Sequence, residues 1–130
     1  MRAKKILIVD DDPEYASSTR DILEAQGYAV ITTASGNEGF ELAVREKPAL
    51  IMMDVMVAHA SEGLDIVLRL AKDEATRAIP VLVITGIRKA VHLLGSYAPG
   101  AEWPNVKAIF EKPVPPDVLL AAVGKNTPAE

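Results

Sequence analysis

The sequence predicts a three-layer α/β fold, a doubly wound parallel sheet with helices on both faces. Two observations lead to this class. Short apolar runs bounded by turn-forming or charged residues recur along the chain, which is typical of strands buried on both faces. Between them lie segments whose apolar residues recur at helical spacing. A strand followed by a helix, repeated five times, builds a parallel sheet with right-handed crossovers.

The apolar runs place the five strands along the chain. Strands are predicted at 5–10, 29–34, 49–53, 81–85 and 107–111. The second run alternates between apolar and polar residues, since Val30 is followed two positions later by Thr32. This alternation indicates that the second strand lies at a less buried edge of the sheet.

Helix signals fall between these runs. Helices are predicted at 13–26, 36–46, 62–72, 88–95 and 115–123, with loops at 55–61 and 97–105. Asp12 is a plausible N-cap before Pro13, Gly27 is a stop signal, and Ser35 caps the second helix. In that second helix, apolar residues from Phe40 to Val44 are available to face the sheet.

Length and composition bound the function classes. The 130 residues predict one domain at 1–124 and a flexible tail at 125–130. No apolar run approaches the ~20 residues of a membrane span, and none forms the core of a signal peptide. The absence of cysteine fits a cytoplasmic protein. The net charge of −4 argues against direct nucleic-acid binding.

Polar residues end four of the predicted strands. Asp10–Asp12 follow the first strand, Asp54 follows the third, Thr85 ends the fourth and Lys112 follows the fifth. Because ligands of open α/β sheets bind outside the carboxyl ends of the strands, we expect these groups to converge. Clustered carboxylates repel one another, and Mg²⁺ would relieve that repulsion. A carboxylate beside Mg²⁺ and an ammonium can attack phosphorus to form an acyl phosphate.

Each residue also has a simpler interpretation. The run of three aspartates before Pro13 is compatible with turn and N-cap chemistry alone. Asp54 is compatible with a turn after a strand, Thr85 with ordinary strand preference, and Lys112 with a solvated surface. The convergence of all four strand ends favours the functional interpretation.

The pattern resembles the receiver domain of bacterial two-component response regulators over about residues 4–124. The motifs that carry the resemblance are Ile6-Leu7-Ile8-Val9-Asp10-Asp11-Asp12-Pro13, Ile51-Met52-Met53-Asp54, Val83-Ile84-Thr85-Gly86 and Phe110-Glu111-Lys112-Pro113. The resemblance implies the flavodoxin-like strand order 2-1-3-4-5. It also implies a sensor histidine kinase or phosphotransfer protein as phosphoryl donor, a downstream protein target and a possible homodimer.

The resemblance assigns a role to each matching residue. Asp54 is the implied phosphoacceptor, and Asp11 and Asp54 are implied direct Mg²⁺ ligands, while Asp10 acts through water. The backbone carbonyl of Met56 is the implied further ligand. Thr85 is the implied switch hydroxyl beside the small Gly86. Lys112 is the implied phosphate contact, and it precedes Pro113 by a peptide bond that is usually cis in the family.

Four departures from the family pattern alter these expectations. Ala58 stands where the family has a proline, and the loop glycine comes one residue late, at Gly63. Ile109 occupies the switch-aromatic position, and the aromatic is displaced to Phe110. The stretch from Thr85 to Lys112 is longer than usual, with the excess expected in the loop at 97–105.

Three functions compete at this point. The first is a signalling domain, not an enzyme, that a histidine kinase phosphorylates on Asp54. The second is a degenerate receiver that docks partners without phosphorylation, which the missing proline and the displaced aromatic favour. The third is a haloacid-dehalogenase-type phosphatase with Asp10 as nucleophile, because an Asp-x-Asp motif follows an apolar strand. Its expected residues are missing at Glu14 and beyond Lys112.

Overall fold

The polar strand ends converge only if the strands are parallel and aligned, and the structure shows both. The computed structural model describes residues 4–54, 60–85 and 104–127, without the side chains of 60–64 and 85. The strands are β1 (Lys5–Val9), β2 (Ala29–Thr33), β3 (Leu50–Asp54), β4 (Val81–Thr85) and β5 (Val106–Glu111). They form one parallel sheet in the order β2-β1-β3-β4-β5. This confirms the predicted fold class and strand order.

Helices follow the strands in the described ranges. They are α1 (Pro13–Ala25), α2 (Gly36–Glu46), α3 (Ala60–Lys72) and α4 (Pro116–Asn126). The helix predicted at 88–95 and most of the loop predicted at 97–105 lie outside the described residues.

The sheet separates two apolar clusters, which gives the three predicted layers. Alternate residues of β1 point to opposite faces, so Leu7 packs in a cluster with residues of α2 and α3, whereas Ile8 packs in one with residues of α1 and α4. Residues of β3 are fully buried, as the continuous apolar run predicted. The edge strand β2 is mostly half-buried, which confirms its predicted edge position.

The register of the strands aligns their carboxyl ends. Val9 of β1 pairs with Met53 of β3, so Asp10 and Asp54 occupy neighbouring positions at the same edge. Thr85 of β4 pairs with Glu111 of β5, which places Lys112 one residue beyond that pair. The sheet therefore brings these residues to one edge without any help from a long loop.

The predicted helix caps are confirmed. The Asp12 carboxylate accepts hydrogen bonds from the backbone N–H groups of Glu14 and Tyr15, and Ser35 Oγ accepts one from Glu38. Gly27 adopts a φ of +96°, a conformation that L side chains rarely adopt, and this ends α1.

Two helix boundaries and one buried face differ from the sequence-based expectation. Helix α3 begins at Ala60, two residues before the predicted start at 62. Val44 was expected to face the sheet, but it is 36% exposed. Gly39 and Ala43, four residues apart, occupy the buried face of α2 instead, and Val44 follows Ala43 by a rotation of about 100°.

The last helix is longer than predicted. It continues to Asn126 and so includes two residues of the predicted flexible tail. Thr127 is buried and its hydroxyl donates to the carbonyl of Val123 at 2.7 Å. Lys4 Nζ donates to the carbonyl of Thr127 at 3.2 Å, and the hydroxyls of Tyr28 and Thr127 lie 3.4 Å apart. These contacts hold the end of α4 in place, which the local sequence did not indicate.

Among the helices of the described ranges, none combines the length and the apolar character needed to cross a membrane.

Candidate functional site

Three carboxylates meet at the carboxyl edge of the sheet. Asp10 and Asp11 follow β1 directly, and Asp54 is the last residue of β3. One carboxylate oxygen from each lies within 4.8 Å of those of the other two. Asp10 and Asp54 are only 5% and 4% exposed, whereas Asp11 is exposed to solvent. The sequence-based prediction that these three side chains converge is therefore correct.

Lys112 joins the two buried carboxylates. Its Nζ lies 2.9 Å from Asp10 Oδ2 and donates to Asp54 Oδ2 at 3.1 Å. The Lys112 side chain is only 17% exposed. It is therefore not the solvated surface lysine of the simpler interpretation. A partly buried ammonium shared by two carboxylates reduces the repulsion between them.

Burial and charge shift the pKa values at this cluster. Burial raises the pKa of Asp10 to about 6; the hydrogen bonds from Asp12 N–H and Lys112 oppose the rise, and the charge of Asp54 adds to it. Burial acts to lower the pKa of Lys112, but its hydrogen bonds and attraction to Asp10 and Asp54 outweigh burial and raise it. Near pH 7 the site therefore carries its ammonium, and protonation of Asp10 begins only a little below that pH.

The third aspartate of the run has a different role. Asp12 Oδ1 accepts hydrogen bonds from the backbone of Glu14 at 3.1 Å and Tyr15 at 3.2 Å, as an N-cap does. The backbone N–H of Asp12 donates to Asp10 Oδ1 at 2.9 Å. The turn-and-cap interpretation thus holds for Asp12, which also fixes the orientation of the Asp10 carboxylate.

One residue at the site was not singled out from the sequence. Lys112 Nζ lies 4.4 Å from the ring centroid of Tyr15, a residue of the first turn of α1. Tyr15 is half-buried, and burial raises the pKa of its hydroxyl while the charge of Lys112 opposes the rise. The signal that points to it is its position in the first helical turn after the acidic run.

The remaining predicted site residues divide into three groups. The backbone of Thr85 ends β4, but its side chain, Met56 and Gly86 lie outside the described residues. The peptide bond between Lys112 and Pro113 is cis. Ile109 packs against the cluster on the α2 and α3 face, whereas Phe110 packs on the α1 and α4 face. The displaced aromatic therefore occupies the other side of the sheet.

The donor set suits a small, hard cation. Three carboxylates, two of them buried, supply only oxygen ligands, which Mg²⁺ prefers over nitrogen and sulfur. Asp11 is exposed, so a cation here would keep water ligands, as Mg²⁺ normally does. Beside these oxygens, Lys112 offers a positive charge to an incoming anion such as a phosphoryl group.

Comparison with known proteins agrees with this geometry. A family model described as the response regulator receiver domain matches residues 6–124. The polar-differentiation response regulator DivK of Brucella ovis is 40% identical over 82 residues, which cover 63% of this chain and 66% of DivK. The DNA-binding dual master transcriptional regulator RpaA of a Synechocystis species is 34% identical over 119 residues, 92% of this chain. That match spans 47% of RpaA, so this chain spans about half of that relative's length.

Solved structures show the same fold. A CheY-like receiver domain protein of Methanospirillum hungatei superposes with a TM-score of 0.79 at 28% identity, covering 97% of this chain and 94% of that one. A response regulator described as putative, from Chloroflexus aurantiacus, gives a TM-score of 0.82 at 24% identity, covering 97% and 98% of the two chains. The second likeness, at its lower identity, supports the fold alone.

These results decide between the families that the sequence suggested. In the phosphatase interpretation Asp12 is the second aspartate of the Asp-x-Asp motif, but its carboxylate caps α1. The receiver model, in contrast, covers all nine described helices and strands almost completely, from β1 into α4. The chain therefore belongs to the family of response regulator receiver domains, the signalling domains of two-component systems.

Proposed function

We propose that Asp54 accepts a phosphoryl group from a phosphohistidine of a sensor histidine kinase or phosphotransfer protein, in a reaction that requires Mg²⁺. One observation supports this most directly. The carboxylate of Asp54 is 4% exposed, contacts Lys112 at 3.1 Å and lies within 4.8 Å of two further carboxylates. A carboxylate whose role is only to form the turn after a strand does not require burial beside an ammonium and two further carboxylates.

The transfer step uses the carboxylate as a nucleophile. A carboxylate oxygen of Asp54 attacks phosphorus, the bond from phosphorus to the histidine nitrogen breaks, and the electron pair of that bond stays on nitrogen. Negative charge on the phosphoryl oxygens is then neutralised by Lys112, whose Nζ already lies beside Asp54. Lys112 remains protonated throughout because its pKa is raised by both carboxylates, against the effect of burial.

The acidic residues would hold the cation that the reaction needs. Asp11 and Asp54 would bind Mg²⁺ directly and Asp10 through water, with the backbone carbonyl of Met56 as a further ligand. When bound, Mg²⁺ offsets the charge of the carboxylates and of the incoming phosphoryl oxygens. Thr85 would donate its hydroxyl to a phosphoryl oxygen, and Gly86 would leave room for that oxygen.

The partners follow from this chemistry. A cytoplasmic kinase or phosphotransfer protein would supply the phosphoryl group, and the modified domain would bind a downstream protein through an altered surface. We propose no direct contact with nucleic acid, because the chain carries a net charge of −4. A homodimer of the phosphorylated form is compatible with the same proposal.

Mass spectrometry tests the phosphoacceptor assignment. The protein is incubated with acetyl phosphate, with and without Mg²⁺, and its intact mass is measured. We expect one phosphoryl adduct that requires Mg²⁺, is lost in Asp54→Asn and is retained in Asp117→Asn, an exposed aspartate of α4. The Asp117→Asn variant controls for the loss of one negative charge.

Two results would contradict the proposal. Persistent labelling of Asp54→Asn at another residue would refute Asp54 as the acceptor. No adduct on the folded parent protein, with Mg²⁺ present, would favour the alternative in which the domain docks partners without phosphorylation.

A further inference from the structure

The ammonium of Lys112 is approached from three sides. A lysine ammonium has three N–H donors and no acceptor. Two of its neighbours are the carboxylates of Asp10, at 2.9 Å, and Asp54, at 3.1 Å. The third is the face of the Tyr15 ring, whose centroid lies 4.4 Å from Nζ, within the ~6 Å reach of a cation–π interaction.

Tyr15 is itself firmly held. Its backbone N–H donates to Asp12 Oδ1 at 3.2 Å, which fixes it in the first turn of α1. Its half-buried side chain packs against the apolar cluster that contains Ile8, Met52 and Ile84. The ring therefore presents a fixed surface to the ammonium.

A fixed surface is useful because the two ion pairs are not constant during the proposed reaction. Lysine has a flexible four-carbon stem, and holding it in one place costs conformational entropy. When an oxygen of Asp54 becomes bonded to phosphorus, that carboxylate loses its full negative charge and its contact with Lys112 changes. The contact with the Tyr15 ring involves neither carboxylate, so it does not depend on the charge of Asp54.

We infer that Tyr15 is a positioning residue that holds the Lys112 ammonium, through the face of its ring, at the place where a phosphoryl oxygen arrives. The inference rests on the proposed function, because it assigns Tyr15 a part in phosphoryl transfer to Asp54. In this scheme Tyr15 acts on the incoming phosphoryl group through Lys112.

The test compares three variants in the rate of phosphorylation by acetyl phosphate at saturating Mg²⁺. Tyr15→Leu removes the ring, and we expect the rate constant to fall about 5- to 30-fold. Tyr15→Phe keeps the ring face and removes the hydroxyl, and it should retain the rate within about twofold. Tyr28→Leu is the control. Tyr28 packs on the same apolar cluster as Tyr15, but it precedes β2 and so lies at the amino ends of the strands, away from the acidic cluster.

A spectroscopic measurement separates positioning from general loss of structure. Protons at the end of the Lys112 side chain lie over an aromatic face, so their NMR resonances should be shifted to lower frequency by the ring current. We expect this shift in the parent, in Tyr15→Phe and in Tyr28→Leu, and its loss in Tyr15→Leu. The measurement needs no phosphorylation.

The outcomes distinguish this inference from the proposed function. If the parent is phosphorylated and Tyr15→Leu reacts within twofold of it, the positioning role is wrong and the proposed function stands. Equal rate losses in Tyr15→Leu and Tyr28→Leu would likewise overturn the inference, since the effect would then be structural. If the folded parent takes up no phosphoryl group, the proposed function fails, and the inference that rests on it fails too.

Discussion

Replacement of Lys112 by methionine tests whether its ammonium keeps the buried carboxylate of Asp10 ionised near neutral pH. The substitution keeps a long apolar side chain and removes the charge that lies 2.9 Å from Asp10 and 3.1 Å from Asp54. Two carboxylates that are 5% and 4% exposed would then face each other with no ammonium between them. We expect the variant to be less stable at neutral pH and much closer to the parent in mild acid.

The size of the loss can be estimated from the pKa of Asp10. In the parent this pKa is about 6, so protonating Asp10 at pH 7.5 costs about 2 kcal/mol at 1.36 kcal/mol per pH unit. The variant can avoid two unpaired buried charges by protonating Asp10. The stability lost at Asp10 is therefore limited to about this cost of protonation. Asp54 loses a charged hydrogen bond, which contributes a further ~1.5–3 kcal/mol.

At pH 5 the first contribution disappears, because Asp10 is already mostly protonated in the parent when its pKa is about 6. The variant should therefore lose roughly 3.5–5 kcal/mol at pH 7.5 and about 2 kcal/mol less at pH 5. Urea unfolding at both pH values, with the m value as a check on two-state behaviour, measures the difference. The control is Lys107→Met, in the strand β5 that Lys112 follows, because the exposed Nζ of Lys107 donates only to the Pro104 carbonyl at 3.2 Å among the bonds of the described residues.

An equal loss at the two pH values would refute the reasoning, since it would show that Lys112 does not act on the ionisation of Asp10. A Lys107→Met variant as unstable as Lys112→Met would refute it as well, because the loss would then not depend on the contact with Asp10 and Asp54.

Three further predictions concern the same strands and helices. Mg²⁺ at about ten times its Kd should stabilise the parent by about 1.4 kcal/mol and raise its Tm by several degrees in a thermal melt, and less so in Asp11→Asn; no shift in the parent would contradict a formed cation site. Gly39→Ala should destabilise by about 1–2 kcal/mol in urea unfolding, because the new Cβ would lie 2.6 Å from Val9 Cγ2, whereas Gly124→Ala, with no heavy atom within 4 Å, should stabilise by up to about 1 kcal/mol. The raised pKa of Asp10 means that the folded state binds the Asp10 proton more tightly than the unfolded state does. The resulting contribution to the free energy of unfolding is full below about pH 4 and is lost as pH rises through about 6, by about 2–3 kcal/mol. In urea unfolding across this pH range, Asp10→Asn should remove this pH dependence.

The sequence predicted the site because its geometry depends on the strands alone. Asp10, Asp54 and Lys112 follow strands whose apolar runs are clear, and parallel pairing then aligns their ends. Asp12 was predicted as the N-cap of α1 because Pro13 follows it, and its carboxylate does cap that helix.

Other features depend on which way a side chain points within a helix or strand. Tyr15 lies in the first turn of α1, and no sequence motif indicates that the Lys112 side chain reaches over its ring. Val44 was expected on the sheet, but the small residues of α2 take that face. The length of α4 was underestimated because Thr127 is fixed by Lys4, which is far away in the sequence.

The contact between Lys4 and Thr127 determines where a second domain or a reporter can be attached to this domain. Lys4 directly precedes β1 and Thr127 directly follows α4. The two residues are joined by a hydrogen bond of 3.2 Å from Lys4 Nζ to the Thr127 carbonyl. Tyr28, beside them, precedes β2, so this point lies at the amino edge of the sheet. The acidic cluster lies at the carboxyl edge, so the full length of the strands separates it from Lys4 and Thr127. A tether, a fluorescent reporter or a neighbouring domain attached at either end therefore leaves the reactive edge uncovered, and a short peptide could join the two ends in a circularly permuted chain.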